Sequence, residues 1–357
     1  MARMFFMKSK WRRELESVSQ MKVAERELAG SSLQLGFTPD KRWRDEPASP
    51  FFQITRAFPG LLAAGLFIGV LCSSAHAAES ELLWVAKPLT KAGVFTPGIE
   101  GPACDREGNV FAVNFGRQQT IGKVSSDGMG GVFVTLPGKS VGNGIRFDRK
   151  GAMYVADYVG HNVLRIVPKT KAVEVFAHES TMNQPNDLTM APNGTLYASD
   201  PNWKEKTGQI WRIDTKGKVA RVAKDMGTTN GIEVSPDGGT LYVNESAQRN
   251  VWAFDIRPDG SLVNKRLFKK FPDHGFDGMR CDVDGNLYIT RYGKGSVVKV
   301  SPRGWILREI HVLGAKPSNI CFGGPDGRTA YVTEVEHQRL VRFRVDRPGL
   351  AWKQFQD

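Results

Sequence analysis

The sequence predicts an all-β fold: a six-bladed propeller of four-stranded blades, preceded by an N-terminal leader. Three observations carry this reading. A single grammar is repeated six times, one oxygen-bearing residue recurs at a constant offset in every copy, and a short apolar run near the start is followed by small residues.

The six copies begin with "IEGPACDREGNVFAVNF" at Ile99, "GNGIRFDRKGAMYVADY" at Gly142 and "PNDLTMAPNGTLYASDP" at Pro185. They continue with "TNGIEVSPDGGTLYVNES" at Thr229, "FDGMRCDVDGNLYITRY" at Phe276 and "SNICFGGPDGRTAYVTEV" at Ser318. Each holds a short alternating strand, a Gly-containing turn and a β-rich strand ending in polar residues. Two further candidate strands follow most copies, such as "NVLRIVP" and "AVEVFAH" after the second. Aligned on Gly108, Gly151, Gly194, Gly238, Gly285 and Gly327, consecutive copies lie 43, 43, 44, 47 and 42 residues apart. Four strands at that period describe propeller blades.

The first strand of a propeller blade runs nearest the central axis. The residue eight positions before each turn glycine therefore stands at the mouth of the axial channel. Those residues are Glu100, Asn143, Asn186, Asn230, Asp277 and Asn319, each an acid or an amide. The second strands return to the same face, which brings Asp157, Asp200, Glu245, Arg291 and Glu334 to the outer side of the ring. The segment "ELLWVAKPL" is expected to pair with the last blade and close the circle, removing an open sheet edge.

Asn and Asp before a strand can simply form Asx turns. Two acids converging on one axis, with Asp187 as a third nearby, ask for more, because like charges in a narrow channel repel unless a cation compensates. Oxygen ligands of mixed carboxylate and amide character favour a hard cation, and an irregular, spacious ring suits Ca2+ better than magnesium. No His or Cys occupies a ring position, which argues against zinc.

The rest of the chain sets limits. It has 357 residues, 41% hydrophobic and 24% charged, with 38 Gly and 19 Pro. That composition is ordinary for a globular protein with a large core. Residues 60–71 form an apolar run after Arg56, and Ala75-His76-Ala77 follows. A basic flank, an h-region and an A-x-A site are the parts of a signal peptide, and the run is short for a membrane span. The expected organisation is a leader over 1–77 and a propeller over 78–357, exported to the periplasm or secreted, with membrane contact only if the leader is retained. Leu71 before Cys72 disfavours a lipoprotein site. The charged residues 1–50 are read as an upstream extension without a function of their own.

Of the formal charge of +12, residues 1–77 contribute 11 Lys/Arg against 7 Asp/Glu, leaving about +8 for the remainder. The basic residues are scattered and no stacking-aromatic motif separates them, so nucleic acid is not the expected partner. Cys104, Cys281 and Cys321 lie in apolar strands and are expected to be buried free thiols.

In "EGPACD", "PNDL", "TNGIEVSPDGGTLYV", "DGMRCDVDGNLYI" and "CFGGPDGRTAYVT" the chain resembles the senescence-marker-protein (regucalcin)/gluconolactonase family of calcium-dependent six-bladed propellers. The kinship to diisopropyl fluorophosphatase and the paraoxonases is looser. The resemblance spans roughly residues 82–350 and implies a metal held by Glu100, Asn186, Asn230 and Asp277. Asn143 and Asn319 are left as channel or outer ligands. It implies a lactone- or ester-opening hydrolase acting on a small molecule, in which the metal polarises the carbonyl and Asp277 serves as general base or nucleophile. His274 is a candidate proton shuttle, or else an exposed rim residue. His161, His178, His311 and His337 share no placement and carry no assignment. Gln184 stands where sugar-lactone members carry a substrate-contacting Arg, which leaves the lactone open. Tyr158, Trp203, Tyr292 and Arg291 are candidate pocket residues. The rival readings are a non-catalytic NHL-like binding propeller with a structural metal, which Glu100 and Asp277 disfavour, and a strictosidine-synthase-like propeller with a Glu base and no metal, which the full set of Glu100, Asn186, Asn230 and Asp277 disfavours.

Overall fold

The computed structural model describes residues 82–356. The leader expected at 1–77, with its apolar run at 60–71, lies outside the described residues. Among the described residues, twenty-four strands form six four-stranded antiparallel sheets, in the order the repeat predicts.

The six turn glycines all adopt positive φ, between 69° and 85°. Each amide donates to the carbonyl three residues earlier, as in Gly151 N to Asp148 O at 3.0 Å and Gly194 N to Ala191 O at 2.9 Å. A turn closing on a left-handed residue reverses the chain in phase with strand twist, and glycine adopts that φ without Cβ strain.

The innermost strands are β2 (Phe95–Cys104), β6 (Gly142–Phe147), β10 (Leu188–Met190), β14 (Thr229–Val234), β18 (Met279–Cys281) and β22 (Pro317–Gly323). They are buried along most of their length, and β22 along all of it. The outermost strand of a blade meets water on most positions, as in Ile306–His311. Six apolar clusters fill the spaces between neighbouring sheets. One unites Ala103, Phe111 and Val113 of the first blade with Ile145, Met153 and Val155 of the second. Another unites Phe95 and Ile99 of the first blade with Tyr331 and Leu340 of the sixth, so the core is a closed ring of interfaces.

Closure is achieved as expected, over a shorter ladder. Within "ELLWVAKPL" only β1 (Lys87–Pro88) pairs with β24 (Arg339–Arg344), through Lys87↔Arg342 and Pro88↔Val341, with one further bridge at Leu83↔Arg344. The sixth blade thus takes three strands from the C-terminal end and one from the N-terminal end. The three thiols are free and buried, as the sequence suggests.

A feature not foreseen in the sequence is the C-terminal helix α1 (Leu350–Gln356). It lies across the far ends of the inner strands, where Leu350, Ala351, Gln354 and Phe355 share a residual cavity of about 50 Å³ with Cys104, Phe147 and Phe322. The Phe355 ring meets Phe147 at 6.2 Å, and the Arg106 guanidinium sits over it at 5.7 Å. The channel is therefore plugged at this end and open at the other, where the ring residues stand.

Candidate metal centre and active site

The six ring residues do not play equal parts. Glu100, Asn230 and Asp277 line both lobes of a funnel at the open face. The larger lobe, of about 640 Å³, adds residues from the first blade and from the third to sixth blades. The smaller, of about 390 Å³, adds Asn143 and Asn186. Asn319 stands behind Glu100 and donates from Nδ2 to its Oε2 at 3.0 Å, while its own Oδ1 accepts from Ile320 N. It orients a ligand and is not offered as one. Asp277 lines both lobes beside Glu100 and Asn230.

The electrostatics show what the ring lacks. Burial, then the Asp187 charge, pushes Glu100 up to about 7. Burial, then the Glu100 charge, holds Asp277 well above the ordinary carboxylate range. Two carboxyl groups buried this close repel each other as anions, and a cation between them would relieve that repulsion. Asn230 Oδ1 and Asn143 Oδ1 are buried and have no hydrogen-bond partner among the described residues. Converging acids with orphaned amide oxygens form a donor set made for a hard cation. Glu100, Asn186, Asn230 and Asp277 therefore fit the group that the sequence implied.

In the first five blades the segment ahead of the ring position is held by a latch at the end of the second strand. Asp157, Asp200, Glu245 and Glu334, expected at the ring's outer side, are almost wholly buried; Glu334 bonds within its own turn, to Glu336 N and His337 N. Asp157 accepts from Ser140 Oγ at 2.7 Å and Val141 N at 3.1 Å, just before Asn143. Asp200 accepts from Asn183 N and Gln184 N, just before Asn186, and Glu245 accepts from Gly227 N, ahead of Asn230. Arg291 inverts the polarity, donating to Asp273 O and Oδ1 ahead of Asp277 while stacking on Phe271 at 4.3 Å. It is a latch and not a pocket residue, a correction to the sequence reading. Asn114 does the same for the first blade, donating from Nδ2 to Gly98 O at 2.7 Å. Its place six residues after Gly108, matching Asp157 after Gly151, was the signal that could have found it.

The glycines that follow four of the ring residues were also missed. A Cβ on Gly101 would lie 1.9 Å from Asn143 O, and one on Gly278 equally close to the Asn319 side chain. Gly144 N, Gly231 N and Gly278 N bond across to Asn186 O, Asp277 O and Ser318 O of the next blade. The recurring E-G, N-G and D-G pairs thus mark where inner strands approach too closely for any side chain.

Below the ring lies a charged layer that the sequence reading did not assemble. Asp187 is fully buried and bonded by Arg280 at 2.8 Å and Arg146 at 3.4 Å, and Arg146 also reaches Glu233 at 3.4 Å. The two guanidinium groups hold the Asp187 carboxyl below the usual range despite its burial. Asp187 is thereby compensated and is not a candidate metal ligand. A register shift between Gly142 and Ile145 breaks strand alternation, so that Asn143 and Arg146, three apart, both reach the axis.

At the rim, His274 is exposed on the larger lobe and pairs with Asp273 at 3.3 Å. Trp203 lines both lobes, Tyr292 the larger and Tyr158 the smaller. The Tyr158 hydroxyl donates to Gln184 Oε1 at 3.0 Å.

The family model of the SMP-30/gluconolactonase/LRE-like region matches residues 99–336, which is the repeat region described above. The chain belongs to this family. Among its relatives in the SMP-30/gluconolactonase family, the gluconolactonase of Zymomonas mobilis is 26% identical over 228 residues, 57% of this chain and 63% of the relative. The diisopropyl-fluorophosphatase of Loligo vulgaris is 27% identical over 310 residues, 74% of this chain and 95% of the relative. The chain thus spans somewhat under two thirds of the gluconolactonase's length. Among solved structures, a calcium-binding regucalcin from Agrobacterium tumefaciens superposes with a TM-score of 0.65 at 21% identity, covering 74% of this chain and 97% of that one. That likeness extends the fold across the whole propeller.

Proposed function

We propose that this protein is a lactonase-type hydrolase that opens a lactone or related ester of a small molecule at a Ca2+ ion held by Glu100, Asn186, Asn230 and Asp277. The observation that carries the reading is the convergence of two carboxyl groups and orphaned amide oxygens on the floor of an open funnel. Relatives named for gluconolactone and other sugar lactones support it.

When bound, a calcium ion supplies Lewis-acid polarisation of the scissile carbonyl and stabilises the developing oxyanion. The chain's own residues do the rest. Asp277, poised between Glu100 and Asn230, takes a proton from the attacking water and returns it to the leaving oxygen. Asn319 and the blade latches keep the carboxylates turned to the axis, and α1 closes the far end of the channel to bulk water. His274, exposed on the same lobe as Asp277, is the proposed proton relay to solvent. The leader is proposed to export the protein.

The test is acid release across a lactone panel, with calcium or with chelator, beside Asp277→Asn. Calcium-dependent turnover that the variant loses supports the reading. Absence of turnover, with calcium still raising the melting temperature, would replace it with a binding propeller that has a structural metal.

A further inference from the structure

We infer that the substrate carries an apolar arm, alkyl or aryl, seated in the larger lobe; the inference rests on the lactonase reading and narrows its substrate class. Pro97, Trp203, Ala247, Tyr292 and Val335 wall this lobe, with Phe276 at its floor. Its serine hydroxyls are already engaged. Ser246 Oγ donates to Phe276 O at 2.7 Å and accepts from Asn230 Nδ2, while Ser318 Oγ is bonded to Ile99 O and Thr333 Oγ1. Of the cations at the rim, Arg249 is bonded to Pro272 O and His274 is paired with Asp273.

A polyol placed in this lobe would exchange water for walls that are mostly apolar. Each hydroxyl buried without a partner weakens binding about tenfold. Each methylene buried there strengthens it by about fourfold. The smaller lobe, though also walled by Tyr158, Val159 and Trp203, carries more amides: Asn114, Gln118, Asn143 and Asn186 line it, and Asn143 Oδ1 is without a partner among the described residues. Gln184, at the position where the sequence comparison expected an Arg, is turned to the Tyr158 hydroxyl. The two lobes meet at Glu100, Asn230 and Asp277, so the reacting carbonyl lies between an amide-bearing lobe and the apolar arm's lobe.

The experiment measures kcat/KM of the calcium-loaded full chain for δ-valerolactone, δ-octalactone, δ-decalactone and glucono-δ-lactone, beside Val335→Asp. In parallel, calorimetry follows binding of the alkyl-substituted δ-lactam and of gluconolactam, which requires no turnover. The expected result is a rise of about two- to fourfold per methylene, with δ-decalactone above glucono-δ-lactone. Val335→Asp should lower the decalactone-to-valerolactone ratio about tenfold, through KM. Preference for glucono-δ-lactone with that ratio unmoved overturns the apolar arm and leaves the lactonase reading standing. If no lactone is opened, the lactonase reading falls and the lactams decide the lobe. Tighter alkyl-lactam binding that Val335→Asp weakens supports it, and equal or tighter gluconolactam binding overturns it.

Discussion

Replacing Asp200 with Asn tests whether the latches build the ring. Asp200 is fully buried. One carboxylate oxygen accepts from Asn183 N at 2.9 Å and Gln184 N at 2.6 Å, and the other from Gln209 Nε2 at 2.7 Å and Trp211 Nε1 at 2.8 Å. An amide of the same shape keeps one acceptor and turns an NH2 group toward the other pair of donors. Two buried donors then lose their partner, at about 1–3 kcal/mol each, so the variant should lose about 2–5 kcal/mol. For a domain of this size that is roughly 5–15 °C in melting temperature. Urea unfolding gives the free energy, with Lys204→Ala, on a fully solvated side chain, as the control expected within about 0.5 kcal/mol of wild type. Because the latch holds the two residues nearest Asn186 on its N-terminal side but one, calcium affinity measured by calorimetry should also fall, by about tenfold. A loss below about 1 kcal/mol with unchanged calcium binding would refute the idea that the strand-end carboxylate positions the ring.

Three other outcomes follow from the same geometry. Gly278→Ala drives a methyl group into the Asn319 side chain, so it should cost about 1–3 kcal/mol and weaken calcium binding. Gly108→Ala, in an open turn at φ 82°, should cost about 1 kcal/mol and leave calcium binding as it was; parallel calcium titrations of the two variants check the contrast. Arg280→Met removes the closer partner of fully buried Asp187 and should destabilise by about 3 kcal/mol or more in urea, tempered by Arg146. The hydrogen-bonded Arg344 partner lowers the Asp326 carboxyl below its ordinary value. That stability is present above the unfolded carboxylate range, near pH 4, and is lost as pH falls through the lower folded value. Asp326 is partly solvated, so its contribution is about 0.5 kcal/mol. Unfolding curves of Asp326→Asn and wild type should converge between pH 4 and about pH 2 as they are acidified; a gap that stays constant would contradict the assignment.

Much of this molecule is legible in one dimension because a propeller is a repeat. Glycine at a left-handed turn, eight residues after an acid or amide, is a local requirement, and six copies of it define the blades, the inner strands and the mouth of the channel. The pairing of an early strand with the last blade was legible for the same reason, since five and three-quarter blades leave one edge open. The ring residues were visible as a set, but their division of labour was not. Asn319 turns back to Glu100, and Asp187 turns away to Arg280 and Arg146. These choices depend on neighbours 41 to 219 positions apart along the chain. Arg291 looks like a pocket residue until Asp273 and Phe271 are brought against it. Periodicity reports which positions face the axis, whereas hydrogen-bond partnership and burial arise only when the blades close around it. The sequence by itself therefore determined the scaffold and the donor types. Tertiary structure decided which oxygens remain unsatisfied for a cation, and which wall of the funnel is apolar.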